Sequence, residues 1–527
     1  MKYSYFTYII IIFAFVIVFF QGLTRLINEN PLGGSFQTAD KPVISVSGIL
    51  STDYQSSIEE YLKGHFGFHN TFIRINNQID YSLYQISNAN KVVIGKNDIL
   101  FEDYYISSFL GKDFVGKEAI KNNISNFARL KQLFKKKGID LFLVIAPGKA
   151  SYFPNQFPSQ FDSETKSEVT NYTQTVSELK NENILYLDLK QFFLTSKDNS
   201  IAPLFPKQGV HWSSYGSILA ADTILKFVEK ETNQPINTIS IKEGFWSNDY
   251  TGTDYDIGES LNLLWKNNNE QLYYPNVSFK TLNTKKKAII IGDSFVNSFF
   301  KTYPVFQNAF DSTSTFWYYN QQILYPTEQS LETLNKVDEI LKSQIILIIF
   351  NEQNIGNFDY GFTKDALRLL SNENEMIKYL VQFQVKKIHK EQTWLESIKK
   401  KATEQNINLD EAITKDAKWV VKEYLKPIYK DSLNYNKDLI KYLNNQAQQK
   451  NTNIDTEIDE YLNNLLIEKL NSVDTQISNE EQIAEIINQI KADPSWLNSI
   501  TEKAKKNNKS TEQQIKEDAL WIINQRK

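Results

Sequence analysis

The pattern of apolar and polar positions divides the chain into four stretches. Residues 6–23 form an apolar run without a charged side chain, and from 24 to about 90 apolar residues recur every three or four positions. Short apolar runs then alternate with helical periodicity up to about residue 380, and the segment 385–527 is rich in Lys, Glu, Asn and Gln. The pattern predicts an anchor with a short tail at 1–23, a juxtamembrane helical segment at 24–90, an α/β domain at 91–380 and all-α repeats at 385–527.

The first apolar run is long enough to cross a membrane. Its eighteen residues would extend roughly 27 Å as an α-helix, close to the thickness of the hydrocarbon core. No small-x-small cleavage site follows, which favours an uncleaved transmembrane helix over a signal peptide. Lys2 precedes the run and Arg25 follows it, so the flanking charges give little bias. We expect a short cytoplasmic tail, a single pass through the plasma membrane, and everything after Leu23 on the extracytoplasmic (periplasmic) side.

Four short apolar runs have the character of buried parallel strands. They are LFLVIAP at 141–147, ILYLDL at 184–189, AIIIGDS at 288–294 and IILIIFNE at 345–352. Helical stretches lie between most of them, which predicts a three-layer α/β sheet with helices on both faces. Ligands of such sheets bind outside the carboxyl ends of the strands. The polar residues that end the four runs are Lys149, Asp188, Ser294 and Asn351.

The C-terminal region contains an internal repeat. Residues 394–419 align without a gap with 496–521, and a weaker copy lies around 439–465. Each copy predicts two helices joined by a polar turn, with the repeated Trp and Ala positions where the helices touch. A helical packing unit is the simpler interpretation, and a docking surface for a partner or a second copy is the alternative.

Composition narrows the function classes. The net charge is −4 and no long basic stripe is present, so we expect no nucleic-acid partner. The chain has no cysteine, which excludes disulfides, thiol catalysis and Cys-based zinc sites. Of the four histidines, His65 and His69 have the i, i+4 spacing of a metal pair, but no acidic residue lies near them and packing roles are favoured.

Two residues together suggest nucleophilic catalysis. Ser294 follows Gly292 and Asp293 at the end of a predicted strand, where a turn into a helix exposes the hydroxyl and leaves backbone N–H groups for an oxyanion. A strand followed by Gly-Asp-Ser is also an ordinary capped turn. The base would be His211, a loop histidine beside Trp212 at the start of a helical pattern.

The order of these motifs resembles a known family. IAPGKASYFP, YLDL, PLFPKQGVHWSSYG, IIIGDSF and a strand ending FNEQN occur in succession. Together they look like the AlgX/AlgJ-like SGNH-hydrolase domain of exopolysaccharide O-acetylation systems, and the resemblance spans roughly residues 45–365. The His block precedes the Ser block, in the permuted order of this family.

The resemblance implies roles for particular residues. It makes Ser294 the acyl-accepting nucleophile and His211 its base, with Gly292 and the Ser294 backbone at the oxyanion hole. It places Lys149 near the site in a structural or substrate-contacting role, and it places three further residues near substrate: Trp317, Tyr318 and Asn351. It implies no metal and no diffusible cofactor.

One position departs from the family pattern. The family commonly has Asp-x-His-Trp, and here the first position is Gly209. The acid that orients the histidine is therefore absent from its usual place. A backbone carbonyl could orient His211, or another carboxylate could reach it, with Asp293 and Glu352 as candidates. A weakened or inactive enzyme is the third alternative.

The resemblance also implies the reaction. We expect a polysaccharide O-acetyltransferase that works through an acetyl-serine, supplied with acetyl groups by a membrane-bound O-acyltransferase partner. The same site could instead hydrolyse acetyl esters of a polysaccharide. A non-enzymatic scaffold that binds polysaccharide or assembly partners is the alternative from a different class.

Overall fold

The computed structural model describes most of the chain. The described residues are 2–34, 39–42, 52–280, 282, 284–433, 436–473, 483, 486–487, 489–491, 493–506 and 509–526. They fall into two compact units, Met1–Asp365 and Ala366–Lys527. Each unit has its own secondary structure and is described separately.

The strands of the first unit form one large sheet and two small ribbons. They are β1 (Val92–Ile94), β2 (Leu100–Glu102), β3 (Asp140–Ala146), β4 (Leu187–Asp188), β5 (Ile239–Ser247), β6 (Leu272–Phe279), β7 (Ala288–Gly292), β8 (Thr315–Tyr318), β9 (Gln322–Tyr325), β10 (Gln329–Ser330) and β11 (Ile345–Asn351). The large sheet has the order β10-β9-β8-β7-β11-β3-β4. Strands β8, β7, β11, β3 and β4 run parallel, and β9 and β10 pair antiparallel at one edge. The antiparallel pairs β1–β2 and β5–β6 are separate two-stranded sheets.

The helices of the first unit flank the sheet and precede it. They are α1 (Lys2–Thr24), α2 (Thr52–His65), α3 (His69–Ile79), α4 (Asp103–Leu110), α5 (Lys117–Lys136), α6 (Lys149–Tyr152), α7 (Asn171–Asn181), α8 (Leu189–Ser196), α9 (Ser214–Thr232), α10 (Asp256–Ser260), α11 (Val305–Ala309), α12 (Lys336–Lys342) and the start of α13 (Phe362–Ser371). A π-helical segment, Asp80–Tyr84, continues α3. A 3₁₀ helix, Ser294–Phe299, follows β7.

The predicted α/β fold is confirmed, with one strand much shorter than expected. Strands β3, β7 and β11 coincide with three of the four predicted runs. Strand β11 is fully buried between β3 and β7 and is the middle one of the five parallel strands. The run 184–189 contributes only Leu187–Asp188, because Leu189 already begins α8. Parallel central strands are covered on both faces, which explains their continuous apolar sequences.

Helix α1 corresponds to the first apolar run. Its segment Tyr5–Thr24 has a mean hydropathy of 2.5 and only 6% of it is buried within the protein. By length and composition it can cross a membrane. The polar end of the helix is tied to the rest of the first unit, because the Arg25 guanidinium donates to the His65 carbonyl at 2.8 Å.

The second unit is helical throughout its described part. Its helices are the remainder of α13, α14 (Glu373–Lys390), α15 (Gln392–Gln405), α16 (Leu409–Leu433), α17 (Lys437–Lys450), α18 (Ile454–Ser472), α19 (Pro494–Lys506) and α20 (Thr511–Arg526). Two ion pairs recur at equivalent positions of the repeat, Lys401–Asp416 at 3.3 Å and Lys503–Asp518 at 2.7 Å.

The repeated positions divide into buried and exposed ones. Ala402, Ala417, Ala504 and Ala519 are buried at helix contacts, as predicted. Trp419 and Trp521 are 59% and 64% exposed, so the expectation that they lie between the helices is wrong. The small alanines allow the helix backbones to approach, whereas the second Trp of each copy lies on the outer surface.

Candidate active site

Ser294 lies at the carboxyl end of β7, where the chain turns into the 3₁₀ helix. The Asp293 carboxylate accepts from the Phe295 N–H at 3.1 Å and the Asp293 carbonyl accepts from the Val296 N–H at 3.1 Å. Among the described residues no acceptor is paired with the Ser294 amide. The first amides of a helix lack intrahelical partners, so the turn presents an N–H group beside a half-buried hydroxyl.

Gly292 is required by the packing of the same turn. A Cβ atom built on it would lie 2.5 Å from both the Ile349 carbonyl oxygen and Val296 Cγ2. Its own carbonyl accepts from the Tyr319 N–H at 2.9 Å. The glycine therefore lets β7 approach β11 closely, and its predicted part in an oxyanion hole stays a prediction.

His211 approaches Ser294 from a loop before α9. His211 Nε2 lies 2.8 Å from Ser294 Oγ, across 83 positions of sequence. The imidazole is 8% exposed and its ring centre lies 4.8 Å from that of Phe295. The hydroxyl and imidazole predicted from the sequence to converge are thus in hydrogen-bonding contact.

Trp212 holds the loop that carries His211 next to the 3₁₀ helix. Its indole Nε1 donates to Ser298 Oγ at 2.7 Å, and the side chain is 1% exposed. Ser298 belongs to the 3₁₀ helix that begins at Ser294. The residue after the histidine is therefore hydrogen-bonded to the element after the serine, which fixes the distance between the two reactive side chains.

The acid opposite the histidine is Asp256, at the start of α10. Its Oδ2 lies 2.6 Å from His211 Nδ1, and its Oδ1 accepts from the N–H groups of Val210 and Ile257, both at 2.8 Å. Two backbone donors thus orient the carboxylate so that the other oxygen faces the imidazole. Ser294, His211 and Asp256 form a complete hydrogen-bonded triad.

This geometry corrects the expectation that Asp293 or Glu352 orients His211. The Asp293 carboxylate instead accepts from Asn351 N at 2.8 Å, Asn354 Nδ2 at 2.7 Å and Tyr360 Oη at 3.0 Å. The Asp293 carboxylate therefore ties the turn at Ser294 to the segment that follows β11. Glu352 contacts Ser151 and forms an ion pair with Lys190 at 2.9 Å.

Gly209 and Asp256 are geometrically linked. A Cβ atom at position 209 would lie 2.3 Å from the Thr253 carbonyl oxygen and 3.0 Å from the Asp254 carbonyl carbon. The segment that brings Asp256 to the histidine therefore occupies the space that a side chain at 209 would need. The acid missing from its usual place is supplied by Asp256, which lies 45 positions after His211 in the sequence.

The His211 imidazole is surrounded by acids. Burial disfavours the imidazolium, but the charge and hydrogen bond of Asp256 outweigh it, with smaller contributions from Asp293 and Glu102. The pKa of His211 is consequently raised above its usual value. Burial also raises the pKa of Glu102, which lies at the end of β2 and bonds the hydroxyl of Tyr104.

Trp317 and Asn351, predicted to lie near substrate, are buried instead, and of the two roles left open for Lys149 its contacts match the structural one. Lys149 is fully buried and donates to the carbonyls of Lys207 at 2.7 Å and Gly209 at 2.6 Å, so it supports the loop that carries His211. Trp317 is 0% exposed and its Nε1 bonds Thr315. Asn351 is 0% exposed and donates to the Pro147 carbonyl at 2.9 Å.

Tyr318 differs from these three residues. It lies half-buried at the end of β8, with its ring 4.3 Å from that of Tyr319. Its predicted contact with a sugar stays a prediction. The described residues contain no group of three or more His, Cys, Asp or Glu arranged to hold a metal ion.

Comparison with known proteins agrees with the resemblance noted in the sequence. Residues 92–275 match the family model described as "SGNH hydrolase-like domain, acetyltransferase AlgX". The matched segment includes His211 and Asp256 and ends before Ser294. No curated protein matches the chain.

Three solved structures match about half of the chain. The O-acetyltransferase domain of Pseudomonas putida AlgJ is 17% identical, with a TM-score of 0.36, and the match covers 53% of this chain and 98% of that domain. Pseudomonas aeruginosa AlgX is 15% identical, with a TM-score of 0.36, covering 56% and 69%. Bacillus cereus PatB1 is 12% identical, with a TM-score of 0.30, covering 47% and 93%. Likenesses this weak say nothing about substrate.

Proposed function

We propose that the chain is an extracytoplasmic O-acetyltransferase of a cell-surface or secreted polysaccharide, starting from the match of residues 92–275 to the SGNH hydrolase-like acetyltransferase model. The observation that carries the proposal is the continuous contact from Asp256 through His211 to Ser294, with distances of 2.6 and 2.8 Å. In acyl transfer by a serine, an imidazole takes the proton of the hydroxyl and a carboxylate orients the imidazole. The contacts of Ser294, His211 and Asp256 match this arrangement.

In the first half-reaction Ser294 becomes acetylated. His211 Nε2 takes the proton of the Ser294 hydroxyl as Oγ attacks the acetyl carbonyl carbon of the donor. The negative charge that develops on the carbonyl oxygen is met by the Ser294 N–H at the head of the turn. The tetrahedral intermediate collapses, the donor's leaving group takes the proton from His211, and acetyl-serine remains.

In the second half-reaction the acetyl group passes to a sugar. His211 Nε2 takes the proton of a sugar hydroxyl, whose oxygen attacks the acetyl-serine carbonyl. Collapse of the second intermediate releases the acetylated sugar, and Ser294 regains its proton from His211. Asp256 balances the imidazolium in both steps because its carboxylate lies against Nδ1.

Helix α1 supports the membrane attachment in the proposal. Its length and apolar composition suit a single membrane-spanning anchor. With the catalytic domain outside the cytoplasm, the acetyl group must be delivered across the membrane, and we include a membrane-bound O-acyltransferase as the supplier.

The test combines labelling with turnover. A fluorophosphonate should label Ser294 of the full-length protein, and Ser294→Ala should remove the label. With a p-nitrophenyl acetate donor, acetyl transfer to added oligosaccharide should exceed hydrolysis. Hydrolysis that is unchanged by oligosaccharide would instead identify an esterase. Glycan binding without any labelling of Ser294 would identify a scaffold and overturn the proposal.

A further inference from the structure

Helix α3 has its apolar face on the outside. Phe72, Ile75 and Ile79 recur at i, i+3 and i+7 and are 45%, 38% and 47% exposed. Leu83, in the π-helical segment that continues α3, extends the row and is 71% exposed. Residues at this spacing lie along one side of a helix. We call these four residues the apolar stripe.

The polar face of α3 is turned toward the protein. Asn77 Nδ2 donates to the Leu261 carbonyl at 2.9 Å, and Gln78 accepts from the Trp265 N–H at 3.1 Å. Arg74 donates to the carbonyls of Asn30 and Pro31 at 3.0 and 2.7 Å. A surface helix of a soluble domain normally has the opposite orientation, with its apolar side against the core.

The stripe begins close to the end of the apolar helix α1. A Cβ atom at Gly67 would lie 2.1 Å from the Val18 carbonyl oxygen and 2.7 Å from the Gly22 amide nitrogen, so the chain there runs directly against α1. Val18 is six residues before the end of α1 at Thr24, which is roughly 9 Å along a helix axis. Gly67 precedes α3 by two residues. The start of α3 therefore lies at the depth where a membrane-spanning α1 would leave the hydrocarbon.

We propose that the apolar stripe lies in the headgroup region of the bilayer and holds the catalytic domain against the membrane surface. An amphipathic helix beside an anchor fits a lipid surface because its apolar side chains enter the boundary between headgroups and acyl chains. The four residues of the stripe carry no charge. The contact should therefore depend little on the charge of the lipids.

The same helix is joined to the candidate active site. Leu261, which accepts from Asn77, follows directly on α10, whose first residue is Asp256. Asn262 also exchanges two hydrogen bonds with Gly33, at 2.7 and 3.1 Å. Contact of α3 with the bilayer would thus fix the position of the triad relative to the membrane, where a membrane-bound donor delivers its acetyl group. The inference rests on the membrane-spanning role proposed for α1.

The absence of cysteine permits a direct test. Full-length protein with a single substitution, Ile79→Cys, is labelled with an environment-sensitive fluorophore and placed in phosphatidylcholine nanodiscs with a nitroxide on the lipid. Lys121→Cys, on the exposed side of α5, is the matched control, and Phe13→Cys, within α1, reports the anchor. Fluorophosphonate labelling of Ser294 in each variant checks that the domain is folded.

The expected result is a blue-shifted emission and strong nitroxide quenching at positions 79 and 13, and neither at position 121. Similar quenching at position 79 in discs with an anionic lipid supports a membrane contact that does not depend on the charge of the lipids. Quenching at 13 with none at 79 overturns this inference and leaves the anchor. No quenching at 13 overturns the anchor as well.

Discussion

Replacing Asp256 by Asn should disable the base while leaving the fold in place. Asp256 Oδ1 accepts two backbone N–H groups, from Val210 and Ile257, both at 2.8 Å. An asparagine would keep its carbonyl oxygen on these donors and present its NH₂ group to His211 Nδ1. The imidazole would then have to accept at Nδ1 and carry its proton on Nε2, which faces Ser294 and could no longer take the serine proton.

The size of the loss follows from the tautomer. In serine proteases the same substitution lowers kcat by about 10⁴, which corresponds to about 5.4 kcal/mol of transition-state stabilisation at 1.36 kcal/mol for each tenfold change. The distance of 2.6 Å between Asp256 Oδ2 and His211 Nδ1 indicates a comparable charge-assisted bond. We expect a similar decrease in the rate of Ser294 acetylation.

The pH profile provides a second signature. His211 acts as a base only when neutral, and its pKa is raised in the native protein, so activity should rise as the pH increases through that raised value. In Asp256→Asn the acidic charge is lost, the pKa of His211 falls, and the acid limb of the residual activity should move to lower pH.

The assay is fluorophosphonate labelling of Ser294 and acetyl transfer over roughly pH 5 to 9, a range that includes the ordinary titration of histidine. Glu259→Gln is the matched control, since it removes an exposed carboxylate from the same helix. The role assigned to Asp256 would be refuted if the Asp256→Asn variant were labelled, and transferred acetyl groups, within severalfold of the native rate and with an unchanged pH profile.

Three further predictions concern the surroundings of the triad. Gly209→Asp should not restore activity to Asp256→Asn, because a side chain at 209 collides with the backbone at Thr253; it should also lower the free energy of unfolding by about 1–3 kcal/mol in a urea titration. Asp293→Ala should cost at least about 3 kcal/mol of unfolding free energy, because it leaves buried donors without an acceptor; an unchanged melting temperature would contradict this. Burial lowers the pKa of Lys149 to about 7. Between that pH and the usual lysine pKa, the unfolded chain binds more protons than the native one. The free energy of unfolding should therefore rise with pH in this window, by up to about 1.4 kcal/mol for each pH unit. Lys149→Met should remove this slope in urea titrations at pH 7 to 9.

The sequence predicted those parts of the site that have local signals. Ser294 ends a buried strand and His211 opens a helix beside a tryptophan, so each is visible from its neighbours. The order of the His block and the Ser block resembles that of a known family. This resemblance implied that His211 and Ser294 lie at the same edge of the sheet. Apolar runs likewise predicted the central strands because parallel strands are covered on both faces.

Asp256 had no such signal. It lies in the short helix α10 in a polar stretch, and its contact with His211 spans 45 residues. The substitution of Gly209 for the usual acid was the available clue, since it pointed to a carboxylate from another segment. The choice of Asp293 and Glu352 failed because both side chains are held by other partners.

The predictions of substrate contact were less successful, because the burial of a side chain depends on tertiary structure. Trp317 follows a pattern that suits either an exposed sugar platform or a core strand, and β8 lies inside the sheet between β7 and β9. Lys149 follows a strand end, as binding residues often do, yet its ammonium group is used to hold two carbonyls of the His211 loop.

The acids around His211 also limit which molecules can approach the hydroxyl. Asp256, Asp293 and Glu102 all act on the imidazole, so the side chains around it are acidic ones. A resident anion is disfavoured there by Coulomb repulsion. An uncharged acetyl ester enters without this cost, and its carbonyl oxygen becomes negative only as the imidazole becomes positive. A glycan that carries carboxylates would have to dock with those groups directed away from the serine, so its own charge pattern would select which hydroxyl is presented.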